Sequence, residues 1–321
     1  MSTAPAVLPV PASPEAPRLA AGIAVGLLAA SIGALYTVFA RWGIVRGLQS
    51  PDLTALRFGV AGLLTLPLLV AALRRDAAGF AARRRAWLAV AVFAGTPFGL
   101  LMFGALQFAP TSHATVFPFA AMSVAGLVLS AVVLGDAITR RKAAGIGAVL
   151  AGLALLSGLE ASSFTARAAL GDAMFVAAGT LWAGFGIVLR RERLDPLLAT
   201  AVISASALVT YVPAYLWTTG GERLLAVPAS VLWTEVLVQG AIAGAGTLFT
   251  YATMVRLLGP SRAAVFPALA PGLAAMMAWP VLGHVPSVSE TVGLVVVMAG
   301  LIVAVTGAGR SGRAPGAAGA R

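Results

Sequence analysis

Tyr36, Thr96, Phe98, Gln107 and Phe117 in the first half of the chain, and Trp182, Phe249, Tyr251 and Phe266 in the second, are hydroxyl, amide and aromatic side chains set inside long apolar stretches. Groups of this kind recognise rather than react. A hydroxyl or amide pairs with a polar group of a small organic solute while an aromatic face covers its apolar part, which suits a neutral or zwitterionic metabolite. Arg57 is the one basic residue within such a stretch. It either snorkels to the surface or holds a carboxylate. His113, and His284 far along the chain, are polar residues at the ends of apolar runs, with proton coupling as the alternative. The acids fall at the ends of apolar runs or in loops, so no carboxylate is expected at mid-depth to hold a cation. Reaction chemistry is not indicated. No clustered nucleophile and base is visible, no phosphate-cradling or zinc-protease sequence occurs, and two distant histidines with no cysteine make no metal site or cofactor site.

The elements that must position these residues follow from composition. The chain is 60% hydrophobic and 10% charged, with a mean hydropathy of +0.95. A soluble domain carries about 25% charge, so this chain belongs in a bilayer. A spanning helix needs about 20 apolar residues. Cutting at charges and at proline and glycine turns predicts ten helices, roughly 19–40, 53–73, 86–108, 112–134, 142–158, 169–189, 197–217, 231–255, 261–283 and 289–307. The expected fold is an all-α membrane protein. The first run is uncharged and too long for the apolar core of a signal peptide, which predicts a retained span. Residues 1–18 and 309–321 read as tails, the second of disordered composition.

An even number of spans puts both termini on one side. With the termini inside, Arg41, Arg46, Arg167 and Arg223 are the four outside basic residues, Arg57 lies in a span, and the other 17 of the 22 are inside. That bias places the termini in the cytoplasm, in a bacterial-type inner membrane. The net charge of +11 is therefore topological and does not point to nucleic acid.

The stretch HATVFPF, from His113, is nearly repeated as RAAVFPA, from Arg262, 149 residues later. At the same offset Gly22 lies over Gly171, Arg41 over Arg190 and Ala94-Gly95 over Ala243-Gly244. At an offset of 148, Val133-Leu134-Gly135 meets Val281-Leu282-Gly283, and Gly145 meets Gly293. The chain thus divides into two five-helix repeats, 19–160 and 168–308. Because five is odd, the second repeat is inverted, an architecture of secondary transporters. Pro118 and Pro267, about six residues into the fourth span of each repeat, are expected to form matched bends that act as conformational hinges beside a central pathway.

The duplicated five-span unit resembles the drug/metabolite transporter superfamily, specifically its ten-span EamA-like family. The resemblance also rests on TSHATVFPFAAMSVAGLVLSAVVLGD, on Leu56–Phe58 and on Gly135-Asp136 closing span four. It departs from the family pattern at Asp136, where glutamate is usual, and at His284, the aligned position of the second copy. The resemblance implies an alternating-access carrier, often an exporter of amino acids or other metabolites, with spans 1–4 and 6–9 around a cavity and spans 5 and 10 peripheral. The partners expected are a small-molecule substrate and the lipid bilayer. A nucleotide-sugar or sugar-phosphate carrier is the alternative within transport, and a receptor or scaffold without flux is the alternative outside it.

Overall fold

The computed structural model describes residues 15–109, 111–114, 116–157, 164–283, 285 and 287–306. Every regular element among them is helical. The first repeat comprises α1 (Glu15–Val45), α2 (Ser50–Arg75), a short surface helix α3 (Ala77–Ala82), α4 (Arg84–Ala94), α5 (Thr96–Gly104), α6 (Thr111–Ala114), α7 (Phe117–Leu134) and α8 (Arg140–Ser157). The second comprises α9 (Ala166–Arg191), α10 (Pro196–Thr219), short α11 (Glu222–Ala226), α12 (Ala229–Glu235), a π-helical stretch Val236–Thr247, α13 (Leu248–Leu258), α14 (Pro260–Ala263), a 3₁₀ turn Phe266–Leu269, α15 (Ala270–Leu282) and α16 (Val288–Thr306).

Among the described residues, eight helical segments are long and apolar enough to cross a membrane. The other two of the ten expected segments are α8, which opens on Arg140, Arg141 and Lys142, and α14 to α15, which is interrupted. His284, Thr115 and most of both tails lie outside the described residues.

Local sequence sets the helix ends. Asp52 accepts the backbone N–H of Gln49 at 2.7 Å in a capping box, with Pro51 in the first turn of α2. Asp195 accepts the Leu198 N–H at 2.9 Å to open α10. The repeated Val-Leu-Gly phrases acquire a reason: Gly135 (φ 72°) and Gly283 (φ 73°) both terminate a helix in the left-handed conformation that glycine adopts without steric cost.

Packing between repeats follows one rule. The fifth spans pack on each other (α8 on α16), as do the second spans (α2 on α10). The first span of each repeat packs on the fourth of the other, α1 on α15 and α9 on α7. Exchanging the repeats leaves this contact pattern unchanged, as a pseudo-two-fold axis between them requires. Close approach is made by small residues. A Cβ on Gly145 would lie 2.4 Å from the Ala304 nitrogen, and one on Gly152 would lie 2.7 Å from the Val297 nitrogen. Their repeat mates Gly293 and Gly300 press likewise on Leu156 and Val149 of α8.

Both third spans depart from α-geometry at the matched Ala-Gly. In the first repeat α4 ends at Ala94 and Gly95 breaks the helix, while in the second Ala243-Gly244 lies within the π stretch. Both fourth spans are broken rather than bent, which corrects the expectation for the prolines. Val116 N–H donates to the His113 carbonyl at 3.1 Å and Val265 N–H to the Arg262 carbonyl at 3.4 Å, each closing a tight turn before the main helix. Pro118 then occupies the first turn of α7 and Pro267 that of the 3₁₀ segment. There the missing N–H leaves no intrahelical bond unmade.

Candidate functional site

The central cavity is lined from both repeats. Ala29, Ala30, Gly33 and Tyr36 come from α1, Arg57 from α2, Phe98 from α5, and Phe119 and Met122 from α7. Trp182 comes from α9, Thr247 from the end of the π-helical stretch, Tyr251 from α13, Pro267 from the 3₁₀ turn and Ala270 from α15. Most of these positions lie near the middle of their segments, so the cavity sits at mid-depth. Its volume is about 40 Å³, little more than the roughly 30 Å³ share of one water and far below the roughly 300 Å³ of a ligand pocket. This conformation is contracted. A larger groove of about 670 Å³ lies elsewhere, at the end of the bundle carrying Arg75, Arg83 and Asp195, where Phe80 stacks on Trp87.

Aromatic packing shapes the cavity wall. Phe98 and Trp182 have ring centroids 4.7 Å apart, Trp182 and Tyr251 5.1 Å, and Phe185 stacks behind Tyr251 at 5.8 Å. Arg57 does not snorkel. It is 3% exposed, its guanidinium carbon stands 4.5 Å from the centre of the Tyr36 ring, and Nη1 has no hydrogen-bond partner. Trp182 Nε1 and Thr247 Oγ1 are likewise buried without partners. The wall therefore carries hydrogen-bonding capacity in excess of what the protein itself uses.

Of the residues singled out in the sequence, the structure brings Tyr36, Arg57, Phe98, Trp182, Tyr251 and Pro267 together. It does not bring in the others. Thr96 is half-buried, the first residue of α5 after the Gly95 break. Gln107 is exposed in a 3₁₀ turn, where its carbonyl accepts from Arg167 at 3.0 Å. Phe249 is 42% exposed on the outside of its helix, and Phe266 is buried against Gly26 of α1. Pro118 points its carbonyl at Gly179. Phe117 packs with Phe164 and His113 at the end of the bundle. His113 itself is fully buried, with Nδ1 2.7 Å from Asp172 Oδ1. Phe119 and Met122 line the cavity without having been singled out; their signal was position, two and five residues beyond the start of α7, which the sequence pattern places at residue 112.

A second polar cluster at the same end as His113 also joins the repeats. Asp52, fully buried, accepts the Tyr215 hydroxyl and, at 3.1 Å, Arg223 Nε. The carboxylate holds the Arg223 guanidinium further into its charged range. Two acids expected at span ends are thus buried and paired. A third, Glu235, near the start of its span, is fully buried with no hydrogen-bond partner for either carboxyl oxygen.

The model of the EamA-like transporter family matches residues 20–158 and again 169–306. The chain belongs to the EamA-like transporter family. This EamA-like protein is accordingly a multi-pass membrane protein of a transporter family, with the family unit present twice. No curated protein matches it. A solved structure described only as "Crystal structure of protein" superposes with a TM-score of 0.65 at 19% identity, over 90% of this chain and 98% of that one. At that identity the likeness is one of fold.

Proposed function

We propose that this EamA-like protein is a ten-span alternating-access carrier that exports small neutral or zwitterionic metabolites, amino acids above all, across a bacterial-type inner membrane. Its termini and the Arg83–Arg85 loop face the cytoplasm. The observation that carries the substrate class is Arg57 on the cavity wall with an unpartnered Nη1. A cation–π contact with Tyr36 is worth about 0.5–2 kcal/mol. Burying a charge costs several kcal/mol. The contact with Tyr36 leaves a deficit that the carboxylate of a zwitterion offsets with a charge-assisted hydrogen bond. Arg57 is the sole basic residue on the described wall, and a sugar phosphate or nucleotide sugar carries more negative charge than one guanidinium balances. A quaternary ammonium drug would meet a like charge there.

Counterflow of labelled amino acids in proteoliposomes tests this reading. Wild type should exchange a subset of them. Arg57→Ala and Trp182→Ala should lower exchange at least about tenfold, a loss of one hydrogen-bonded or stacking contact of about 1.4 kcal/mol. Gln107→Ala should leave it unchanged. A reconstituted protein that moves lipophilic cations and ignores amino acids rejects the proposal.

A further inference from the structure

Glu235 closes α12 and opens the π-helical stretch, and neither of its carboxyl oxygens has a hydrogen-bond partner. Gln239, one turn further on, is also fully buried. Its Nε2 donates to the Tyr36 carbonyl of α1 at 2.8 Å, while its Oε1 is unpartnered. Three orphan acceptor oxygens therefore lie within one turn. Acceptors without donors are costly in an apolar interior, and an ionised carboxylate is costlier still.

Among the described residues, the neighbouring elements bring no counter-charge within hydrogen-bonding distance. From α1 come Tyr36, whose ring lies under Arg57, and Arg41 and Arg46, both exposed. From α2 come Arg57 on the cavity wall and Asp52, committed to Tyr215 and Arg223. From α10 come Tyr215 and Tyr211, the latter donating to the Pro51 carbonyl at 3.1 Å. From α13 come Tyr251, packed on Trp182, and Arg256, which is exposed. A hydrated metal cation does not fit beside Glu235, because the carboxyl presses on the α1 backbone: a Cβ on Gly43 would lie 2.5 Å from Oε1. A proton needs no such room.

We infer that Glu235 is a proton-binding site whose occupancy is felt at the cavity through Gln239 and Tyr36. With the proton on, Glu235 is neutral and sits against Gly43. With it off, the carboxylate draws donors toward itself, and Gln239, which holds the Tyr36 backbone, is the nearest one on its own helix. Tyr36 and Arg57 both line the cavity, so its wall shifts with the proton. The inference gives the proposed carrier a coupling ion, and to that extent it rests on that reading.

The test needs no transported solute, which keeps its failure separate from failure of the transport reading. Infrared spectra of the purified protein in lipid bilayers, titrated with pH, should show a protonated-carboxyl band at neutral pH that is lost in Glu235→Gln. The emission from Trp182, taken as the difference between wild type and Trp182→Phe, should titrate with the same midpoint and become flat in Glu235→Gln. Gln239→Leu should keep the band and lose the emission response. If Glu235→Gln does not fold, Glu235→Asp should shift the band rather than remove it. A wild type without the band, a band unchanged by substitution at Glu235, an emission titration that survives Glu235→Gln or Gln239→Leu, or a band abolished by sodium at constant pH would each overturn the inference.

Discussion

His113 of the first repeat and Asp172 of the second meet at 2.7 Å, and the histidine is fully buried. The pair lies at the end of the bundle opposite the basic loops, as does the Asp52–Tyr215–Arg223 cluster. In the proposed carrier, both link elements that must separate for that end to open.

Weakening a buried hydrogen bond disfavours the state that contains it, by about 1.5–3 kcal/mol for a bond to a charged group. Asp172→Asn should therefore shift the protein toward a form open at this end. The chain has no cysteine, so a single cysteine at Met122 reports cavity access. Its labelling by an impermeant maleimide from the outside should quicken at least about tenfold, the effect of 1.4 kcal/mol on an equilibrium. Unchanged labelling would show that the pair does not latch the mouth.

Topology is tested by single cysteines on opposite ends. Ala81 on α3 is exposed and suits one end. Gly220 does not suit the other, because its φ of 64° would strain a cysteine. Thr218, exposed on the last turn of α10, replaces it. Ala81→Cys should label from the cytoplasmic side only and Thr218→Cys from the outside only; labelling from one side at both would remove the ten-span arrangement.

The α8–α16 contact offers an internal control. Gly152→Ala drives a methyl into the Val297 backbone and should lower stability by about 1–3 kcal/mol, the usual effect of overpacking. Gly147, on the same helix, has nothing within 4 Å of an added Cβ. Gly147→Ala should raise stability by about 0.5–1 kcal/mol through helix propensity. Thermal unfolding of the two purified variants should move the midpoint in opposite directions.

The matched prolines should affect motion more than stability. Each lies in the first turn of a helical segment, so Pro118→Ala and Pro267→Ala remove no needed bond and should change unfolding by less than about 1 kcal/mol. Alanine restores an N–H and lets the short lead-in helix fuse with the main one. The double variant should then label at Met122→Cys from one side of the membrane only, where the parent labels from both.

The repeat was readable from the sequence because many positions, Ala94-Gly95 and Val116-Phe117-Pro118 among them, recur at one offset and mark a departure from regular α-helix at the same place in each copy. The site was readable only where a polar or aromatic residue fell at mid-depth of a clean span, as with Trp182 and Tyr251. Gln107 was misplaced because the uncharged run from Ala86 to Gly135 carries no marker of where the chain leaves the core. Phe249 and Tyr251 lie two residues apart and so on different faces, a distinction that span-level reading does not make. Glu235 was assigned to a span end by its distance from the turn. The chain stays helical there, passing from α12 into the π stretch, and only packing against Gly43 reveals its burial.

The cavity wall contains two pairs of repeat-matched residues, Gly33 with Trp182 and Phe98 with Thr247, each 149 apart in sequence. Had each pair been identical, head and tail of a bound solute would see equivalent surroundings, and the solute could sit either way round. Instead one copy offers a gap where the other offers an indole, and a ring where the other offers a hydroxyl. In the carrier proposed above, the backbone keeps the interchangeability that two-way opening needs, while side chains that differ between the copies give head and tail of a passenger unlike surroundings.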